Sequence, residues 1–271
     1  MRAAAVLRKS FSIAGLSALG DLLSPARITA AALRLGIQLF LVVFLWRALY
    51  ANTNSSAGMT KVQAISYAVL AVLALRIRFT DRWSARDTVF QHVQYGTIVY
   101  WYLRPLPVPR YYCLRAVGDQ FYGVAWAVLG YVICRALGVL SAPASAAAAG
   151  AFVITFTLGQ IILYYLVLIT DQLCFWTLRN SAAQDILMFA LNLLSGAYAA
   201  LWFFPGWFRA MSAVLPFEAT LDIPLSFYIG RLQLGDLPVQ LVVQATWVAA
   251  LCGLTRLLWR TAGRRVVSQG G

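Results

Sequence analysis

Residues 146–170 read AAAAGAFVITFTLGQIILYYLVLIT, with no acidic, basic or histidine side chain. About 20 apolar residues cross roughly 30 Å of hydrocarbon, so this stretch reads as a membrane span. It does not stand alone. Of 271 residues, 61% are hydrophobic and 11% charged, against about 25% charged in an ordinary soluble domain. Working outward, further spans are expected at about 28–50, 61–75, 116–140, 185–204 and 238–259. Six spans and their connections fill the length and leave no soluble domain of ordinary size. The expected class is an all-α integral membrane protein whose six-span domain covers residues 28–259.

The connections differ in character. Residues 1–27 are basic and weakly apolar, with Leu7, Phe11, Ala14, Ala18 and Leu22 at helical spacing. A signal peptide is the rival reading. Its apolar core, FSIAGLSAL, is short and diluted by serine and glycine, so a retained helix in the membrane interface is favoured. Short polar or tight connections are expected at 52–60, 141–145 and 171–184, and residues 260–271 form a tail. The segment 205–237 carries Pro205, Pro216 and Pro224 among many aromatics. It is too apolar for a free loop and too broken for a span. Helical pieces dipping into the outer interface satisfy both facts.

The net charge is +13. It is spread over the ends of the helices and not along one face, which argues against nucleic acid. Of the 22 lysines and arginines, Arg47, Lys61, Arg135, Arg209 and Arg231 fall on one side of the expected membrane and 17 on the other. Positive charge accumulates on the cytoplasmic side. Both termini, the 76–115 loop and the 171–184 link are therefore expected to be cytoplasmic, and 205–237 external.

Catalytic chemistry is poorly provided for. The only lysines are Lys9 and Lys61, and neither lies in a phosphate-binding Gly-rich loop. Cys113, Cys134, Cys174 and Cys252 are scattered without a C-x-x-C pair, and His92 is the single histidine. These counts argue against a zinc site or a histidine-based triad. No cofactor is expected in this chain.

Intramembrane polar groups are costly and mark function by default. Asp119, Asp171 and Asp185 fall at expected cytoplasmic helix ends, where they reach water or pair with Arg115 or Arg179. No acid is expected at mid-membrane, which argues against a proton-driven carrier. Thr155, Thr157, Gln160, Asn192 and Gln244 either bond neighbouring helices or line a route. Thr155, Gln160, Asn192 and Ser195 are the candidate route residues.

The basic loop holds the remaining signal. Thr88-x-x-Gln91 fits a capping box, and Val89, Phe90, Val93, Thr97, Tyr100 and Trp101 recur at helical spacing until Pro105. A helix over 88–104 is too short and too polar to span. It either rests on anionic lipid headgroups or docks a soluble partner. Gly96 within it costs about 1 kcal/mol relative to alanine, which suits close approach of another backbone.

At this point the chain resembles the membrane subunits, or permeases, of ABC-2 type transporters. Gly96, followed by Leu103-Arg104-Pro105-Leu106 and Arg115-x-x-Gly118, looks like that family's coupling-helix segment between spans two and three. Phe175-Trp176, Ser195-Gly196, Phe204-Pro205, Pro216-Phe217, Pro224 and Gly230 look like its fifth span and external re-entrant helices. The tail Arg264-Arg265-Val266-Val267-Ser268-Gln269-Gly270-Gly271 resembles a bacterial subgroup often encoded as a permease pair beside one ATPase.

The resemblance implies a non-catalytic subunit of a bacterial inner-membrane exporter. A separate P-loop ATPase would bind ATP and magnesium and dock on Phe90, Gln91, Val93, Gly96, Tyr100, Leu103, Arg104 and Pro105. A second permease, identical or paralogous, would complete the assembly within the membrane lipids, with the route between first, second and fifth spans. An amphipathic, drug-like or lipid-like substrate is expected. A membrane-embedded enzyme and a non-transporting scaffold are the alternatives.

Overall fold

The computed structural model describes residues 25–53, 55–56, 58–77, 108–177 and 181–268, and the single positions 92, 95, 97 and 100. Among the described residues nine α-helices follow one another: α1 (Pro25–Leu49), α2 (Lys61–Ile77), α3 (Val108–Ala136), α4 (Ala146–Gln172), α5 (Cys174–Thr177), α6 (Ser181–Leu194), α7 (Gly206–Val214), α8 (Glu218–Tyr228) and α9 (Leu237–Ser268). Two-residue strands β1 (Ser55–Ser56) and β2 (Met59–Thr60) make a small hairpin between α1 and α2. Three helices among the described residues are long and apolar enough to cross a membrane: Ile28–Leu49, Ala146–Thr177 and Leu234–Thr261.

The core has two halves. One surrounds α2, whose residues Ala64 to Ala74 are all buried, and includes Leu35 and Trp46 of α1 and Ala127 of α3. The other joins Ala151 and Ile162 of α4 to Leu251 of α9. Helix α8 lies between them. Leu221, Leu225 and Tyr228 face the first half, while Ala219, Ile223 and Phe227 face the second. Every residue from Ala219 to Tyr228 is buried.

Helical pieces are present over 205–237, as expected, and one of them, α8, is a core element of the bundle. Proline and glycine explain how it fits. Pro224 inside α8 cannot donate the helix bond to the carbonyl four residues earlier. There α4 presents Gly159, where an added Cβ would lie 2.7 Å from Ala219 O and 3.0 Å from Thr220 Cα. Only a residue without a side chain lets the two backbones meet.

Other boundaries move for local reasons. Helix α3 begins at Val108, inside the expected 76–115 loop, because Pro109 occupies the first turn, where a missing N–H costs nothing. The expected 171–184 link is largely helical: α4 runs to Gln172, α5 follows, and α6 starts at Ser181. Helix α6 then ends at Leu194, ten residues short of the expected end of span five at Phe204. At 1.5 Å per residue it is about 21 Å long. Gly196, at φ +80°, turns the chain in the left-handed region that closes many helices. The aromatic run beyond it carries the apolar signal onward but not the helix.

Helix α9 continues to Ser268, through most of the expected 260–271 tail. Helix α1 takes in residues 25–27, so only 1–24 of the expected N-terminal helix lie outside the described residues. Of the expected 88–104 helix, His92 and Tyr100 are helical while Tyr95 and Thr97 stand in turns. His92 Nδ1 lies 2.7 Å from Thr97 Oγ1. Phe90, Gln91, Val93, Gly96, Leu103, Arg104 and Pro105 lie outside the described residues.

Candidate functional site

The densest polar network closes one end of the bundle. Three connections meet there: the β1–β2 hairpin, the turn over 137–145, and the segment from Ser195 to Asp236. Gln63 Nε2 of α2 donates to Ile229 O at 3.1 Å. Ser141 N donates to Ser66 Oγ at 3.1 Å, and Ala144 N to Tyr228 O at 3.0 Å. The Tyr228 hydroxyl donates to Ser141 O at 3.0 Å. Its one proton is thereby used, so Tyr131 of α3 is the donor in the 2.9 Å contact between the two phenols.

Asp222 is the centre of this network. It is 1% exposed, and it ties together three separate elements. Tyr67 of α2 donates to its Oδ1 at 2.6 Å, and the Leu201 N–H donates to the same oxygen at 3.1 Å. Ser226, one turn along α8, donates to Oδ2 at 3.4 Å. The Tyr67 hydroxyl also lies 3.1 Å from Gly196 O. The 2.6 Å contact has the length of a charge-assisted bond. Burying a carboxylate is tolerated only when such donors replace water.

Trp202 extends the network outward. Its Nε1 donates to Ser226 Oγ at 3.3 Å. The guanidinium of Arg231 stacks on its ring, 4.5 Å from the centroid, and donates to Gly58 O in the hairpin. Arg209 of α7 approaches the same ring at 5.6 Å.

The sequence-derived route residues fall in two places. Thr155 and Gln160 are buried on α4. The Thr155 hydroxyl donates to Ala151 O of its own helix at 2.7 Å. Its carbonyl accepts from Gln244 Nε2 of α9 at 2.9 Å, and that amide also reaches Ala219 O of α8 at 2.9 Å. Gln244 is thus a three-helix clamp, and Thr155 is part of it. Gln160 Oε1 is buried and finds no hydrogen-bond partner among the described residues. Thr157 is exposed and bonds Val153 O of its own helix. Asn192 is half-buried on α6, and Ser195 is buried at its end, next to Gly196 and the Asp222 network.

Asp171 is buried and accepts from Gln184 Nε2 of α6 at 2.9 Å, which closes the α4–α6 contact; its expected partner Arg179 lies outside the described residues. The acid held against the middle of a core helix is Asp222, which sequence reasoning assigned to an external segment and did not weigh. The signal was present: Glu218 and Asp222 sit one turn apart in the otherwise apolar helix EATLDIPLSFY. A carboxylate on such a helix needs donors from elsewhere in the fold.

A family model described as "ABC-2 family transporter protein" matches residues 37–270. No curated protein and no solved structure gives a significant match. The matched range takes in α2 to α9 and most of α1, including every residue of the Asp222 network. With its long apolar helices, the chain is a multi-pass membrane protein, and it belongs to the ABC-2 family of transporter membrane proteins.

Proposed function

We propose that the chain is the membrane permease subunit of an ATP-driven exporter, with six spans and both termini in the cytoplasm of a bacterium. A separate P-loop ATPase docks on the 88–104 segment, and a second permease, identical or paralogous, completes the route. An amphipathic, drug-like or lipid-like substrate is moved outward. The observation that carries this reading is the family match across residues 37–270. The bias of 17 cationic side chains to five between the two sides supports the orientation.

The packing supports a route for the motion. Helices α2 and α3 flank the docking segment directly. The end of α2 meets the middle of α3 backbone to backbone: a Cβ on Gly123 would lie 2.1 Å from Arg76 O. A push on the segment therefore moves α2 and α3 as one lever. At the far end Tyr67 of α2 is bonded to Asp222, so the lever acts on α8 and the cap. Replacing Leu103, Arg104 and Pro105 together by alanine tests this. Export should fall to background while the protein still inserts in the membrane. Undiminished export would refute the docking role.

A further inference from the structure

We propose that Glu218 is a substrate-binding residue of the route and that it selects a cationic amphiphile, an apolar molecule carrying an ammonium group. This rests on the permease reading and names the substrate class within it. Glu218 opens α8 and is half-buried. Its depth follows from its neighbour. The Ala219 carbonyl packs against Gly159, the middle residue of the 27-residue α4. A carboxylate beside that contact lies near the centre of the bilayer, where an ionisable group is retained for function. Among the described residues it has no hydrogen bond and no ion pair, and the charge that acts on it is Asp222, of like sign. Asp222 lies one turn along the same face and is already supplied by Tyr67, Leu201 and Ser226. The amino-terminal end of α8 favours the ionised form of Glu218 without filling its oxygens.

A second acceptor faces the same place. Gln160 shares a stripe of α4 with Leu163 and Val167, three and seven residues on. Those two pack with Leu191 of α6 and with Phe217, the residue before Glu218. Gln160 also follows Gly159, which touches Ala219 and Thr220. It therefore faces the start of α8 on the α6 side. Its side chain is 9% exposed and its Oε1 finds no partner among the described residues. Glu218 is on that side too, since Asp222 on its face meets Leu201 and the Gly196 turn that ends α6. A carboxylate and an amide oxygen accept hydrogen bonds and donate none. An ammonium group offers three donors and no acceptor, so it complements both, whereas a phosphate or carboxylate is repelled. Phe217, Leu191 and Leu194 supply apolar contact for the body of the molecule.

The purified chain is titrated in mild detergent with monodansylcadaverine, a primary amine on an apolar fluorophore, and with its N-acetyl derivative, which is neutral and otherwise alike. Dansyl emission reports binding. The wild type is expected to bind the amine about tenfold more tightly than the amide, the scale of a charge-assisted hydrogen bond. Glu218→Gln should abolish that preference while leaving amide binding and the unfolding temperature unchanged. Glu218→Asp keeps the charge and should keep part of the preference. Equal amine affinity in the wild type and Glu218→Gln overturns the site. So does a wild type that binds amine and amide alike, or that binds no amine. Equal weakening of both probes in Glu218→Gln and Glu218→Asp also overturns it, in favour of a purely structural role. The binding needs no ATPase, so its failure leaves the permease reading standing. That reading falls instead with undiminished export in the Leu103, Arg104 and Pro105 replacement.

Discussion

Removing the Asp222 carboxylate separates hydrogen bonding from charge in the network that closes the bundle. In Asp222→Ala the Leu201 N–H loses its acceptor in a place where Leu201 is 2% exposed. An orphaned buried donor costs about 1–3 kcal/mol. Tyr67 retains Gly196 O at 3.1 Å as an alternative acceptor, so its loss is partial, about 1 kcal/mol on the scale of a net hydrogen bond. Ser226 retains its contact with Trp202. The total is about 2–4 kcal/mol. Asp222→Asn keeps an oxygen for Tyr67 and Leu201 and turns an amide N–H₂ toward Ser226, which then accepts. It forfeits only the charge assistance, about 1 kcal/mol. With roughly 2–4 °C per kcal/mol at this chain length, alanine should lower the unfolding temperature by about 4–16 °C and asparagine by about 2–4 °C. The assay is thermal unfolding of the purified protein in mild detergent, followed by tryptophan fluorescence. Alanine within 1 °C of wild type would refute the argument that Asp222 holds the cap. Asparagine as damaging as alanine would show that the charge, not the bonding geometry, is what the network needs.

Three further outcomes follow from the packing. Gly159→Ala places a methyl 2.7 Å from Ala219 O and should destabilise by about 1–3 kcal/mol. In the same helix Gly150→Ala meets nothing within 4 Å and should be neutral or stabilising by up to about 1 kcal/mol; the same unfolding assay must rank the pair in that order. Gly123→Ala, whose Cβ would lie 2.1 Å from Arg76 O, should lower export by pushing α2 away from α3 next to the docking segment. Vesicle uptake beside a matched expression control would detect it, and wild-type transport would contradict the lever. Gln244→Leu removes two interhelical bonds, each worth about 0.6 kcal/mol in a membrane bundle, for a loss of about 1 kcal/mol in the same melt. A loss above about 3 kcal/mol would mean that Gln244 does more than clamp α4, α8 and α9.

The core helices and their order were legible because hydropathy is a local property. Lys61–Ile77 and Ala146–Gln172 begin where the sequence reading started spans two and four and run two residues past their expected ends. The boundaries that failed depend on single backbone positions. Pro109 lies in the first turn of a helix where the basic loop was expected, and Gly196 ends one where aromatic residues prolong the apolar signal. Of the four route residues, Thr155 and Gln160 are buried in the bundle, and the partner of the Thr155 carbonyl, Gln244 of α9, is 89 residues away in sequence. The 17-to-5 charge bias and the family signature were also readable from residues alone.

What the sequence by itself determined is thus the class of protein, the order of its helices and the family, since composition, span length and motif order are sums over neighbouring residues. What only the tertiary structure decided is that α8 is a buried keystone and that Asp222 is its anchor. Both depend on pairings across the chain: Gly159 with Ala219, Tyr67 with Asp222, and Arg231 with Gly58. A buried acid is affordable only where donors from other elements converge, and local sequence does not encode that convergence.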